Sequence, residues 1–165
     1  MDNTSASLIS QNPSSPFKFV VRTGLLVGFL DIAAAFINAY LQFGSTPVTV
    51  FQYITSGVFG KAAFSGGLIM AVWGCVFHFL IATSWTFLFF LVYPRMKILS
   101  RNRVVSRVLY GLVIWLVMNL VVLPLANTPK PQSHDPIRMI EGILILMAMV
   151  GVPVSLKVHK YFSRI

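Results

Sequence analysis

Asp31, Asn38, His78, Asn119 and Glu141 are the residues whose side chains could do chemistry in a chain that is otherwise largely apolar. Two carboxylates, an imidazole and two amides can hold a proton or bind a small polar solute, provided they converge on one another. Asp31 stands inside GLLVGFLDIAAAFINAYLQ, which otherwise reads as a membrane-spanning helix. A carboxylate at the centre of such a helix costs on the order of 3 kcal/mol even on lenient insertion scales, so Asp31 needs a partner. His78 matches it best in depth and face. An ionised Asp with a protonated His is net neutral, and a neutral pair shares one hydrogen bond. Asn119 is the second candidate partner.

Helix rise gives the depths. Asp31 falls about 13 Å from the cytoplasmic boundary and His78 about 18 Å from the outer one, so both approach the midplane. Asn119 lies about 18 Å beyond Arg107, and Asn38 about 10 Å outward of Asp31. Glu141 stands near the outer end of the last span. These five residues define a candidate polar pocket reaching from the outer surface to the bilayer centre. The competing reading is interhelical hydrogen bonding that only fixes helix register, worth about 0.6 kcal/mol per contact on average.

The elements that must position these groups are set by composition. The 165 residues are 56% hydrophobic and 10% charged, with a mean hydropathy of +0.80, outside the range of soluble domains. The expected fold class is an all-α polytopic membrane protein with four transmembrane helices, at residues 23–41, 66–92, 105–125 and 136–158. Each is long enough to cross about 30 Å of hydrocarbon. Pro124 and Pro153 are expected to bend the third and fourth. Residues 1–17 read as a disordered, uncleaved polar tail, and residues 18–165 as a single four-helix transmembrane domain. The lone Cys75 excludes an intrachain disulfide, a C-x-x-C pair and a thiolate zinc cluster, and reads as a buried thiol.

The net charge of +9 has a topological explanation rather than one in nucleic-acid binding. Lys18, Arg22, Arg95, Lys97, Arg101, Arg103, Arg107, Lys157, Lys160 and Arg164 fall on one side of the four crossings, and only Lys61, Lys130 and Arg138 on the other. The positive-inside rule then places both termini in the cytoplasm of a multi-pass plasma-membrane protein. The bilayer is the expected partner. The basic loop PRMKILSRNRVVSR can add contact with anionic lipid headgroups. Tyr93, Tyr110 and Tyr161 at the cytoplasmic ends, and Tyr40 and Tyr53 at the outer ends, are expected at headgroup level. His134 and His159 read as solvated flanking residues.

Between spans one and two, GSTPVTVFQYITSGVFGKAAF is too apolar for a free loop and too short to span. Thr46 followed by Pro47 starts a helix and Gly60 stops it, giving a short interfacial or re-entrant helix that acts as a lid or lines a cavity. Gly24 and Gly28 on span one, and Gly67, Ala71, Gly74, His78 and Ala82 on span two, form two small-residue seams. Such seams permit close backbone approach and predict that spans one and two pack together. Four helices alone make a narrow conduit, which leaves room for a homo-oligomer.

No H-E-x-x-H, P-loop or G-x-S-x-G occurs, so the sequence offers no enzyme signature. No cofactor or metal is expected. His78 is the only deep imidazole, and Met118 or Met147 as a second haem ligand is better read as packing. The small residues and polar centre of the first span, the histidine of the second, YPRMK at its end and VVLPL closing the third resemble small uncharacterised bacterial inner-membrane proteins of the YagU type. The resemblance covers about residues 24–131 and implies a bacterial inner-membrane location. The functional expectation is a proton-responsive or small-solute binding or transport protein centred on Asp31 and His78. The alternative is a non-transporting scaffold or regulatory subunit acting through its seams or basic loop.

Overall fold

A computed structural model of the protein describes residues 15–96, 103–129 and 136–163. Its elements are α1 (Pro16–Phe43), α2 (Pro47–Phe59), α3 (Gly67–Arg95), α4 (Val104–Leu125) and α5 (Pro136–Phe162). All except α2 are long and apolar enough to cross a membrane, and no strand occurs among the described residues. The chain is an all-α, multi-pass membrane protein.

Local signals account for the ends of the helices. Ser15 caps α1 by accepting the Lys18 N–H, with Pro16 at the first helical position, where its missing donor costs nothing. The helix therefore opens earlier than residue 23 and takes in Pro16 and Phe17, the last residues of the expected tail. Residues 1–14 of that tail lie outside the described residues. Lys18 and Arg22 are exposed on this extra length, where long basic side chains reach the interface. Gly44, at φ 62°, closes α1 in the left-handed conformation and returns its N–H to the Tyr40 carbonyl. Thr46 caps α2 through the Thr49 N–H at 3.3 Å. Pro94 sits in a final 3-10 turn, Tyr93–Arg95, which ends α3.

Pro124 and Pro153 are accommodated in a particular way. A proline offers no N–H to the carbonyl four residues back and crowds it. In both helices the turn just before the proline widens to π geometry, over Met118–Val122 in α4 and Met147–Gly151 in α5. The N–H groups of Leu123 and Val152 reach back five residues to the carbonyls of Met118 and Met147. The expected bends thus take the form of two π turns, at matching places ahead of each proline.

Glycines set the helix spacing. A Cβ on Gly24 would stand 2.7 Å from Thr83 Cα, and one on Gly28 2.9 Å from the Phe79 ring, so α1 and α3 meet along these two positions. A Cβ on Gly111 of α4 would come within 2.7 Å of Met147 Cα, and one on Gly151 would overlap the Arg107 carbonyl. This α4–α5 contact also holds a buried hydrogen bond from Ser155 to Ser106 at 3.1 Å.

The seam expected on α3 is divided between two neighbours. His78, Phe79, Ala82 and Thr83 face α1, but Gly74 lies against the backbone carbonyl of Phe51 in α2. Gly67 and Met70 use their carbonyls to accept Gln52 Nε2 at 3.0 Å and Thr55 Oγ1 at 2.6 Å. Gly74 and the first turn of α3 thus both meet the stretch from Phe51 to Thr55, and α2 packs along the first half of α3. Its buried face is the polar one, Gln52, Thr55 and Ser56, because these side-chain donors find backbone carbonyls on α3 and within α2, acceptors that lipid cannot supply. Phe51 also meets Phe36 of α1 edge-on, with ring centroids 5.2 Å apart. Asn127 binds the Gly57 and Val58 carbonyls, which joins α2 to the chain after α4.

The tightest core lies toward the end of the bundle that carries the described chain ends. Val27, Phe89, Tyr93, Tyr110, Ile114, Val150, Val154 and Val158 pack there, drawn from all four long helices. Tyr93 and Tyr110 are buried, at 3% and 6% exposure, and Tyr161 packs on Phe19 with ring centroids 4.4 Å apart. All three rings pack against aromatic side chains of neighbouring helices. Tyr40 and Tyr53 do remain exposed. Cys75 is partly exposed rather than buried: neighbouring Gly74 faces α2, which turns the next position away from that contact. The outward surfaces of α1 and α3 carry Leu25, Phe29, Ile37, Leu68, Ile69, Val72 and Leu80, which suit contact with lipid.

Gly74→Val should lower the thermal stability of the purified protein by about 2 kcal/mol, since the new side chain meets backbone that cannot yield. Gly57→Ala is the control. Its nearest neighbour would be Ala126 Cβ at 3.7 Å, and removing a helical glycine should be neutral or stabilise by about 0.5 kcal/mol. Thermal unfolding in detergent measures both, and equal stability of the two variants would contradict the close α2–α3 contact.

Candidate functional site

The site builds outward from Gly28. Because Gly28 has no side chain, the ring of His78 reaches across from α3 and places Nε2 2.8 Å from the Gly28 carbonyl. A carbonyl only accepts, so Nε2 carries the proton in this bond. Nδ1 is left as the nitrogen that can gain or lose one. The ring is held from the side by Phe79, edge-on at a centroid distance of 5.3 Å.

Asp31 lies three residues beyond Gly28 on the same face of α1. The His78 ring meets this face of α1 at Gly28, one turn from Asp31. No hydrogen bond to its carboxylate occurs among the described residues. The Asp31 carboxylate and His78 Nδ1 are thus the polar atoms of this pair that the Gly28 bond leaves uncommitted.

Asn38, Gln42 and Glu141 form a separate outer group. Gln42 Nε2 donates to Asn38 Oδ1 at 2.8 Å and to Glu141 Oε2 at 2.7 Å, which joins α1 to the start of α5. Two turns of helix, about 10 Å, separate this chain of amides and carboxylate from Asp31. Arg138, one turn earlier on α5, places its guanidinium 4.9 Å from the centre of the Phe43 ring and makes a second tie between the same two helix ends.

Asn119 does not join either group. Its amide donates back to the Trp115 carbonyl of its own helix at 2.9 Å, a local bond that a short amide makes readily beside a widened turn. The five polar residues singled out from the sequence are therefore arranged as an inner pair, Asp31 and His78, an outer pair, Asn38 and Glu141, bridged by Gln42, and Asn119 apart. Of the five small residues, Gly24 and Gly28 meet α3, while Gly67, Ala71 and Gly74 lie on the half of α3 that runs beside α2.

His159 is not a solvated flank. Its Nδ1 stands 2.6 Å from the Tyr93 hydroxyl, which links the ends of α5 and α3. His134 lies outside the described residues. Gln42 belongs to the α1 stripe by spacing, but its role as the bridge needed a partner 99 positions away. Ser106 with Ser155, and Gly111 with Gly151, were visible as small residues on two apolar helices, and no spacing rule told which would meet. Among the described residues no group of three or more His, Cys, Asp or Glu could hold a metal ion. A shallow notch of about 190 Å³ on α3, lined by Leu80, Ile81, Ser84, Trp85 and Leu88, is apolar, and Ser84 spends its hydroxyl on the Leu80 carbonyl.

His78→Leu should destabilise the α1–α3 contact by about 1 kcal/mol through loss of the donor to Gly28, whereas His78→Gln, which keeps an N–H donor, should lose less. Unfolding midpoints of the two variants against the parent decide this. Equal losses would mean that packing alone, and not the Gly28 bond, holds the ring.

Comparison of the chain with protein families, with curated proteins and with solved structures gives no match. The functional reading therefore rests on the geometry.

Proposed function

We propose that the protein is a proton-responsive membrane protein in which Asp31 and His78 form the titrating centre. The observation that carries this reading is the bond from His78 Nε2 to the Gly28 carbonyl. It fixes the ring beside an acid on the same helix face and commits one nitrogen, so that proton exchange is confined to Nδ1 and the Asp31 carboxylate. Loading Nδ1 makes an imidazolium that an ionised Asp31 offsets, and passing that proton to the Asp31 carboxylate leaves a neutral ring beside a neutral acid. Both states of the pair are net neutral, which avoids the cost of a lone charge in hydrocarbon. The outer group of Asn38, Gln42 and Glu141 is the entrance of this site, through which a proton or a small polar solute approaches. The uneven distribution of basic residues supports cytoplasmic termini and an outward-facing entrance. The resemblance to YagU-type proteins supports a bacterial inner membrane. A homo-oligomer would widen the narrow path that four helices leave.

The test is proton flux in vesicles reconstituted with the purified protein, under an imposed pH gradient and read by an entrapped pH-sensitive dye. The parent should exceed protein-free vesicles, and Asp31→Asn and His78→Gln should each lower the flux about tenfold or more while membrane level and unfolding midpoint persist. Flux in Asp31→Asn equal to the parent would overturn the reading and favour a scaffold that acts through its basic loop.

A further inference from the structure

A second polar cluster occupies the opposite half of the bundle, where α3, α4 and α5 meet. It consists of Tyr93, Ser106, Arg107, Tyr110, Ser155 and His159. Most of its donors are used. Ser155 bonds Ser106, and Tyr93 bonds His159. Arg107 Nε and the Tyr110 hydroxyl are the buried side-chain nitrogen and oxygen that lack a hydrogen-bond partner among the described residues.

These two groups stand three residues apart on α4, and helical side chains lean toward the N-terminus of their helix. Both are therefore directed toward the end where α4 begins. The backbone around them is held firmly, since the Arg107 carbonyl lies against Gly151 and the Tyr110 ring centroid stands 4.2 Å from that of Phe89. The rest of Arg107 is partly exposed, so this side chain reaches from the buried Nε to the surface at this end of the bundle.

The charge balance says what is missing. The described acids are Asp31, about nine residues deeper than Arg22 on α1, and Glu141, at the far end of α5. Neither can neutralise Arg107. The cations described at this end, among them Lys18, Arg22, Arg95, Lys157 and Lys160, only add positive charge. A permanently charged guanidinium whose Nε is buried without an acceptor among the described residues favours an anion beside it. Two donors without an acceptor between them suit an oxyanion, and the oxyanion present at that depth is a lipid phosphate.

We propose that Arg107 and Tyr110 form a binding site for the phosphate group of an anionic lipid at the basic end of the bundle. The site is independent of Asp31 and His78. It is tested on the full chain in a neutral detergent, titrated with dioleoylphosphatidylglycerol, with dioleoylphosphatidylcholine and with inorganic phosphate. Bound lipid is read by native mass spectrometry, and stability by the unfolding midpoint. Phosphatidylglycerol should bind saturably and raise the midpoint more than phosphatidylcholine does. Arg107→Gln should weaken that binding about tenfold, the loss of one charge-assisted bond. Tyr110→Phe, which keeps the ring in place, should weaken it by a smaller factor and carries the test if Arg107→Gln does not fold. Lys157→Gln, an exposed cation on α5, should change the affinity less than either. A rise reproduced by inorganic phosphate in the parent and lost in Tyr110→Phe supports the same phosphate chemistry and assigns it a soluble source. Phosphatidylglycerol affinity unchanged in both α4 variants, or matched by phosphatidylcholine, overturns the site.

Discussion

The approach of α1 to α3 at Gly24 and Gly28 is the contact on which the placement of His78 against the Asp31 face of α1 depends. In lipid there is no hydrophobic gain from bringing two apolar helices together, so association rests on close packing and on hydrogen bonds that close packing permits. Side chains at these two positions would collide with Thr83 and Phe79. Without them the helices sit near enough for His78 to reach a backbone carbonyl across the interface. Gly111 and Gly151 give α4 and α5 the same intimacy, and there the enclosed polar bond is the one between Ser106 and Ser155. The bundle is thus two closely joined helix pairs, and the core around Val27, Tyr110 and Val154 holds the pairs together.

The half of the bundle that carries α2 obeys a different logic. Here α2 lies beside α3 with its polar residues turned inward, the reverse of an amphipathic helix resting on a membrane surface. Buried Gln52 and Thr55 would be left without acceptors in an apolar setting, and the Gly67 and Met70 carbonyls supply them. A helix whose buried donors depend on a neighbour's backbone in this way is a structural part of the bundle. Its link to the segment after α4, through Asn127, ties the two helix pairs at their outer ends, as Gln42 and Glu141 tie α1 to α5.

Much of this was legible in the sequence because it depends on periodicities within single helices. Four apolar stretches of spanning length, the start of α2 at Thr46 and Pro47, its end at Gly60, and the alignment of Gly24, Gly28 and Asp31 on one stripe all come from local spacing. The illegible remainder depends on which faces meet. Gly74 keeps the same rhythm as His78 and Ala82, but α2 intervenes and takes it from α1. Asn119 has the depth of a pocket residue, yet its amide turns to the Trp115 carbonyl of its own helix. Tyr93 and Tyr110 carry the residue type of an interfacial anchor, and ring partners on other helices draw them inside. Helix rise gives depth along the bilayer normal, but rotation about each axis is decided by neighbours that the spacing does not reveal.

The widened turns of α4 and α5 also set the facing of the helical segments beyond them. Each inserts into its helix a step that a regular spiral would not contain, and one residue corresponds to about 100° of rotation around the axis. Shortening α5 by a single residue within Met147–Gly151 would leave its length nearly unchanged but swing Val154, Ser155 and Val158 off the core and bring lipid-facing positions into it. The irregularity therefore works as a phase adjustment: it lets one continuous helix present correctly aimed faces to different neighbours on either side of its proline.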